Sequence, residues 1–125
     1  MFKRDKIKYI RDKAKGRYKK GTSCEICGTV EELEFHHYYS LTPLFNKWVK
    51  DEKVSVETEE ELLSVRDVFI EKFHVELYDE VATLCKTHHL RLHAVYGKDP
   101  VLSSAQKQKK WVQIQHEKYA SKETK

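Results

Sequence analysis

Two short stretches carry the side chains able to bind metal or move protons. One is Cys24-x-x-Cys27 leading to Glu34-Phe35-His36-His37, and the other is Cys85-Lys86-Thr87-His88-His89-Leu90-Arg91-Leu92-His93. Cys24, Cys27, Cys85 and His88 form two pairs, each with two intervening residues. Such pairs bring four thiolate or imidazole ligands into a tetrahedron, the closed arrangement that suits structural zinc. His89 and His93 stand four apart, so on a helix both imidazoles leave one face and can share an ion. His36 can join them as a third ligand. Three protein ligands leave positions open for water and a phosphate oxygen, as a catalytic ion requires. His37 then has no coordination duty and is free to act on water, since imidazole titrates near neutral pH. The plainer reading makes the cysteines buried thiols and His88 or His89 a capping or surface group.

The order Glu34-x-His36-His37, then Asp79-Glu80-Val81-Ala82-Thr83-Leu84-Cys85-x-x-His88-His89-x-x-x-His93, resembles the HNH nuclease family and its ββα-metal fold. The cysteine-containing pairs are similar to those of its zinc-bound bacterial and phage members. The resemblance spans residues 22–97 and is interrupted by a long middle segment. It implies that His36, His89 and His93 hold a catalytic divalent ion and that His37 is the general base. It also implies that Glu34 supports the site by pairing with a basic or histidine neighbour, and that the products carry 5′-phosphate and 3′-hydroxyl ends. The family usually places an Asn shortly before the second metal-binding pair, here Cys85 and His88, where it pins the loop carrying the base. Glu80 stands there instead, and the single Asn of the chain is Asn46. A carboxylate accepts hydrogen bonds but cannot donate one as Asn does. Arg91, between the two helical histidines, is a candidate phosphate clamp or a solvated helix residue. Three imidazoles suit zinc, nickel, cobalt or manganese, and magnesium fits if it keeps most of its waters.

The elements that must position these groups can be read from periodicity and punctuation. Residues 2–18 read as a basic helix with Gly16 as its one breaker. Gly21 to Gly28 reads as a turn carrying the first cysteine pair, and residues 29–38 as a short, ragged strand or hairpin. Thr42-Pro43 reads as a cap with proline at the first helical position. Thr58 and Glu61 form a capping box in front of a stripe of Leu62, Val65, Phe69 and Phe73, with Leu63, Ile70 and Leu77 on an adjoining stripe. Residues 81–84 suit a brief strand, 86–96 a helix stopped by Gly97, and 104–120 a last helix capped by Ser103 or Ser104. At least one of Tyr38 and Tyr39 belongs to the core, His74 is structural, and His116 lies on the surface. The expected fold class is α+β and mainly helical. A ββα-metal core over 22–40 and 79–97 carries the structural zinc, with a helical insertion at 41–78 and basic flanking helices at 1–20 and 98–125 in a single domain.

At 125 residues with 39% hydrophobic content, such a chain has a modest core that a metal staple would help. Three cysteines are an odd number, which argues against a disulfide framework and for a reducing compartment, the bacterial or phage-infected host cytoplasm. No apolar run is long enough to cross a bilayer and no secretory signal is visible. The net charge of +4 conceals an asymmetry. Residues 1–20 hold ten basic residues against two acidic, residues 98–125 seven lysines against three acids, and residues 41–82 eleven acids against five bases. Basic ends around an acidic middle suggest that the ends face the phosphate backbone of DNA, although lysine runs are also commonly just solvated. Three function classes follow: a metal-dependent DNA endonuclease or nickase, a non-catalytic zinc module that binds nucleic acid or a protein partner, and a metal-dependent ribonuclease. Cutting both strands would call for a second active site, as in a homodimer.

Overall fold

The computed structural model describes residues 6–123, and the N-terminal end of the expected basic helix lies outside them. Helix α1 spans Lys6–Lys15 and buries Ile7, Ile10 and Ala14, the three- and four-residue spacing of one helical face. Strand β1 (Leu33–His37) pairs antiparallel with β2 (Val81–Cys85), setting Leu33 opposite Cys85 and His37 opposite Val81. Between the two strands run α2 (Leu41–Glu52), α3 (Glu59–Lys72) and a π-helical turn at Val75–Asp79. Helix α4 (Lys86–Tyr96) leaves β2 directly, and α5 (Ala105–Glu123) follows a short 3₁₀ turn. The class is therefore α+β and mainly helical, with one two-stranded sheet. None of its helices is long and apolar enough to cross a membrane among the described residues.

Several local expectations shift. Helix α2 begins at Leu41, with Ser40 in the cap position and no side-chain cap bond, so Pro43 sits within the first turn rather than opening it. Its missing N–H costs little there, because first-turn amides have no partner inside the helix. The Thr58–Glu61 capping box is present in both directions. Of the α3 stripes, Leu62, Phe69 and Ile70 are buried, Leu63 is exposed, and Leu77 is buried from the π-helical turn rather than from the helix. Ser104 precedes α5 with its hydroxyl donated to the Val101 carbonyl.

Burial gathers into two clusters. One joins α1, α2, α3 and Leu77, with Phe45 edge-on to Phe69 at its centre. The acidic middle segment thus packs against the basic first helix, and Arg17 pairs with Glu71 across that contact. The other cluster joins Cys24, Ile26, the sheet, Leu92 of α4, and Ala105 and Val112 of α5. The sheet lies between the two, with the candidate chemistry along β1 and α4.

Candidate active site

Residues 24–28 form a tight knuckle. The Gly28 amide bonds the Cys24 carbonyl at 2.9 Å, and Gly28 takes φ +75°, where a side chain would be strained. Glu25 exchanges bonds with Thr83 of β2, its amide donating to the Thr83 carbonyl and its carboxylate accepting from the Thr83 amide. This pins the knuckle beside the end of β2, where Cys85 passes straight into α4. The ligand atoms of Cys24, Cys27, Cys85 and His88 all fall within 4.8 Å of one another, and the cysteines are free. His88 Nδ1 lies 3.3 Å from Cys85 Sγ and 3.9 Å from Cys24 Sγ. Burial pushes the Cys24 thiol up, but amide donors from Cys27, Cys85 and Ile26 outweigh it and favour the thiolate. Four soft or borderline donors in this grouping fit a metal ion.

The second group is His36, His89 and His93, again within 4.8 Å. Each ring has one nitrogen committed. His36 Nε2 donates to Gln108 Oε1 at 2.8 Å, His89 Nδ1 donates to the Glu34 carboxylate at 2.8 Å, and His93 Nδ1 donates to the Gly97 carbonyl at 2.7 Å. The Gln108 amide cannot be reversed, because its Nε2 donates to the Tyr38 carbonyl and to Ser104 Oγ. Each neutral imidazole carries one proton. The nitrogens left over, His36 Nδ1, His89 Nε2 and His93 Nε2, are therefore lone pairs, and they sit 3.1 Å apart across His36–His89 and His89–His93. Lone pairs facing one another repel unless a cation stands between them, so the donor set fits a metal ion. Burial drives the His36 ring down to about 3, away from the protonated state that would otherwise relieve that repulsion.

His37 follows His36 on β1, so its side chain points to the opposite face of the sheet. There it stands edge-on to Phe35 and Tyr18, and its Nε2 donates to the Leu77 carbonyl at 3.0 Å. Nδ1 is left as the basic nitrogen. Burial lowers its pKa to about 4 against the opposing pull of the Leu77 bond, and the Arg11 charge lowers it further. A groove of about 420 Å³ is lined by His36, His37, His89 and His93 together with Arg11, Lys15, Tyr18 and Asp99. The Tyr18 hydroxyl is buried there without a hydrogen-bond partner among the described residues.

Glu80 and Arg91 lie elsewhere. The Glu80 carboxylate pairs with Lys109 of α5, and its contribution near His37 is a main-chain one, its carbonyl accepting from the Tyr38 amide. The carbonyl that holds His37 belongs to Leu77, three residues before Glu80. Arg91 is exposed on α4 and its charge acts on His88, next to the cysteine group, rather than lining the groove. The cations that do line it, Arg11 and Lys15, come from the basic first helix, where spacing alone marked no individual residue. Gln108 also escaped the sequence reading. Its available signal was a polar residue on the stripe of Ala105 and Val112. His116, expected on the surface, is exposed and also bonds the Ile26 carbonyl of the knuckle at 3.3 Å.

No solved structure matches the chain. The phage T5 nicking endonuclease family, described as the nicking endonuclease family, matches residues 1–125 from end to end. That match sets aside the reading as a non-catalytic zinc module and makes DNA the substrate. The chain belongs to the nicking endonuclease family, enzymes that cut DNA.

Proposed function

We propose that the nick is made by metal-dependent hydrolysis in an HNH-type site, with His37 as general base and His36, His89 and His93 as the ligands of a divalent ion. The observation that carries this is the set of three converging lone pairs, each fixed because the other ring nitrogen donates elsewhere. A divalent ion bound there supplies Lewis-acid stabilisation of the charge that grows on the phosphate. Manganese, nickel, zinc or magnesium are the ions to test. The cysteine group is assigned to a structural zinc, because its four positions are all protein donors and none is left for substrate.

The rest is the work of the chain. His37 is neutral throughout the physiological range, and its bare Nδ1 accepts a proton from water as the water oxygen attacks phosphorus. The Leu77 carbonyl holds the ring in the required tautomer and stabilises the imidazolium that forms. The bond from phosphorus to the 3′ oxygen breaks, the departing oxygen takes up a proton from solvent, and 5′-phosphate and 3′-hydroxyl ends result. Glu34 keeps His89 Nε2 aimed inward. One site cuts one strand, so a nick needs a single chain.

The test is a supercoiled-plasmid assay with manganese, nickel, magnesium or chelator, run beside His37→Ala. We expect metal-dependent conversion to the open-circular form by the native chain and a loss of at least about a hundredfold in rate for the variant. Native-like nicking by a folded His37→Ala protein would remove His37 from the mechanism.

A further inference from the structure

We propose that Arg11 and Lys15 of α1 form a phosphate-binding wall that holds the DNA backbone beside His37. This deepens the HNH-type reading and rests on it for the orientation of the substrate. The two residues are one helical turn apart, so they leave the same face of α1, while Ile10 and Ala14 on another face are buried in the helical core. That core fixes the helix, and the helix fixes the cations along the groove that contains His37 and the three-histidine group. Both side chains are exposed, and neither makes an ion pair among the described residues. Several other cations are paired, Arg17 with Glu71, Lys109 with Glu80 and Lys72 with Glu52, and what sets Arg11 and Lys15 apart is that they line this groove. Asp99, on the loop after α4, is the single carboxylate among the groove-lining residues, so the wall is net positive even before an ion binds.

Two unpaired cations on a concave surface concentrate potential and draw in a polyanion. A phosphodiester presents two non-bridging oxygens, which the planar guanidinium of Arg11 can bind as a pair and the ammonium of Lys15 as a point charge. Arg11 is close enough for its charge to be felt by both His37 and Tyr18. A phosphate held by Arg11 would therefore lie in the same groove as His37. Just after α1, Arg17 is taken up by Glu71 of α3, whereas Arg11 and Lys15 line the groove.

The experiment measures binding of a short fluorescent DNA duplex to the full-length, metal-loaded chain in a His37→Ala background, across a range of NaCl concentrations. Arg11→Gln and Lys15→Gln should each weaken binding about tenfold at moderate salt. The double variant should lower the slope of log affinity against log salt by about two, one for each phosphate no longer neutralised. Arg11→Lys should keep the slope while losing part of the affinity. Lys50→Gln on α2 removes the same charge away from the groove and serves as the reference. Losses at Arg11 and Lys15 no larger than at Lys50, or an unchanged slope in the double variant, would overturn the proposal. Failure of the HNH-type reading has a different signature: the native chain would not nick with any metal, or His37→Ala would cut the duplex, and both are seen on a gel independently of affinity.

Discussion

Adjacent histidines on a strand cannot serve one ion together, because successive side chains leave opposite faces of the sheet. That geometry separates His36, which meets His89 and His93, from His37, which meets Leu77 and Tyr18. Both rings are depressed by burial, to about 3 for His36 and about 4 for His37. In the unfolded chain each titrates near the ordinary value of about 6.5. Between those limits the unfolded state binds more protons than the fold, so the stability of the metal-free protein is full above pH 6.5 and falls as pH drops towards 4. Urea midpoints measured against pH on metal-stripped protein should show this slope, and His37→Ala should flatten it. A midpoint independent of pH between 4 and 6.5 would contradict the burial of these rings.

The elements act by carrying a hydrogen-bond acceptor to each of the three clustered rings. Strand β1 supplies Glu34 to His89, the Gly97 carbonyl after α4 meets His93, and α5 supplies Gln108 to His36. Gly97 has φ +92°, a conformation that favours glycine and ends α4 with its carbonyl turned to the His93 ring. Gln108 is a positioning residue: fully buried, it ties α5 to β1 and fixes which nitrogen of His36 is bare. Gln108→Leu should lower metal affinity at the three-histidine site about ten- to a hundredfold, the usual cost of losing a partner behind a ligand. Metal at the cysteine group should be unaffected. Calorimetric titration with manganese or nickel reads the first quantity and zinc content the second. Equal loss at both sites would point to general unfolding instead.

For the molecule as a whole, two small cores meet at a two-stranded sheet, and neither is large for a chain of 125 residues. On the proposed reading the cysteine group binds residues 24–27 to residues 85–88, closing a long stretch of chain that contains both α2 and α3. Closing so long a loop removes conformational freedom from the unfolded chain, and structural zinc contributes directly to folding. Cys27→Ser, which breaks this group without touching the groove, should lower the melting temperature by 10 °C or more, roughly the effect of about 2 kcal/mol in a chain of this size. Thermal melts with and without chelator check it: the native chain should lose stability on chelation and the variant should lose little more. A melting temperature unaffected by both changes would mean that the cores hold without metal.

The residues of the two candidate metal groups were legible in the sequence because their spacing matches fixed periods. Pairs with two residues between them fit one turn of a knuckle or the start of a helix, and residues four apart share a helix face. The capping box at Thr58, the stop at Gly97 and the strand after Glu80 were legible for the same reason, being local chemistry. What spacing could not decide was which distant groups complete the site. The expected Glu80 and Arg91 lie in sequence beside the motif, but the Glu80 carboxylate pairs with Lys109 and Arg91 is not among the groove-lining residues. The acceptor for His37 is a main-chain carbonyl, which every residue possesses and which no residue type announces. Arg11, Lys15 and Gln108 reach the site only because α1 packs on the helical core and α5 on the sheet, and those orientations come from burial of apolar faces over the whole chain. Sequence alone determined which residues could bind metal, and tertiary packing decided which nitrogens are left bare and which cations share their groove.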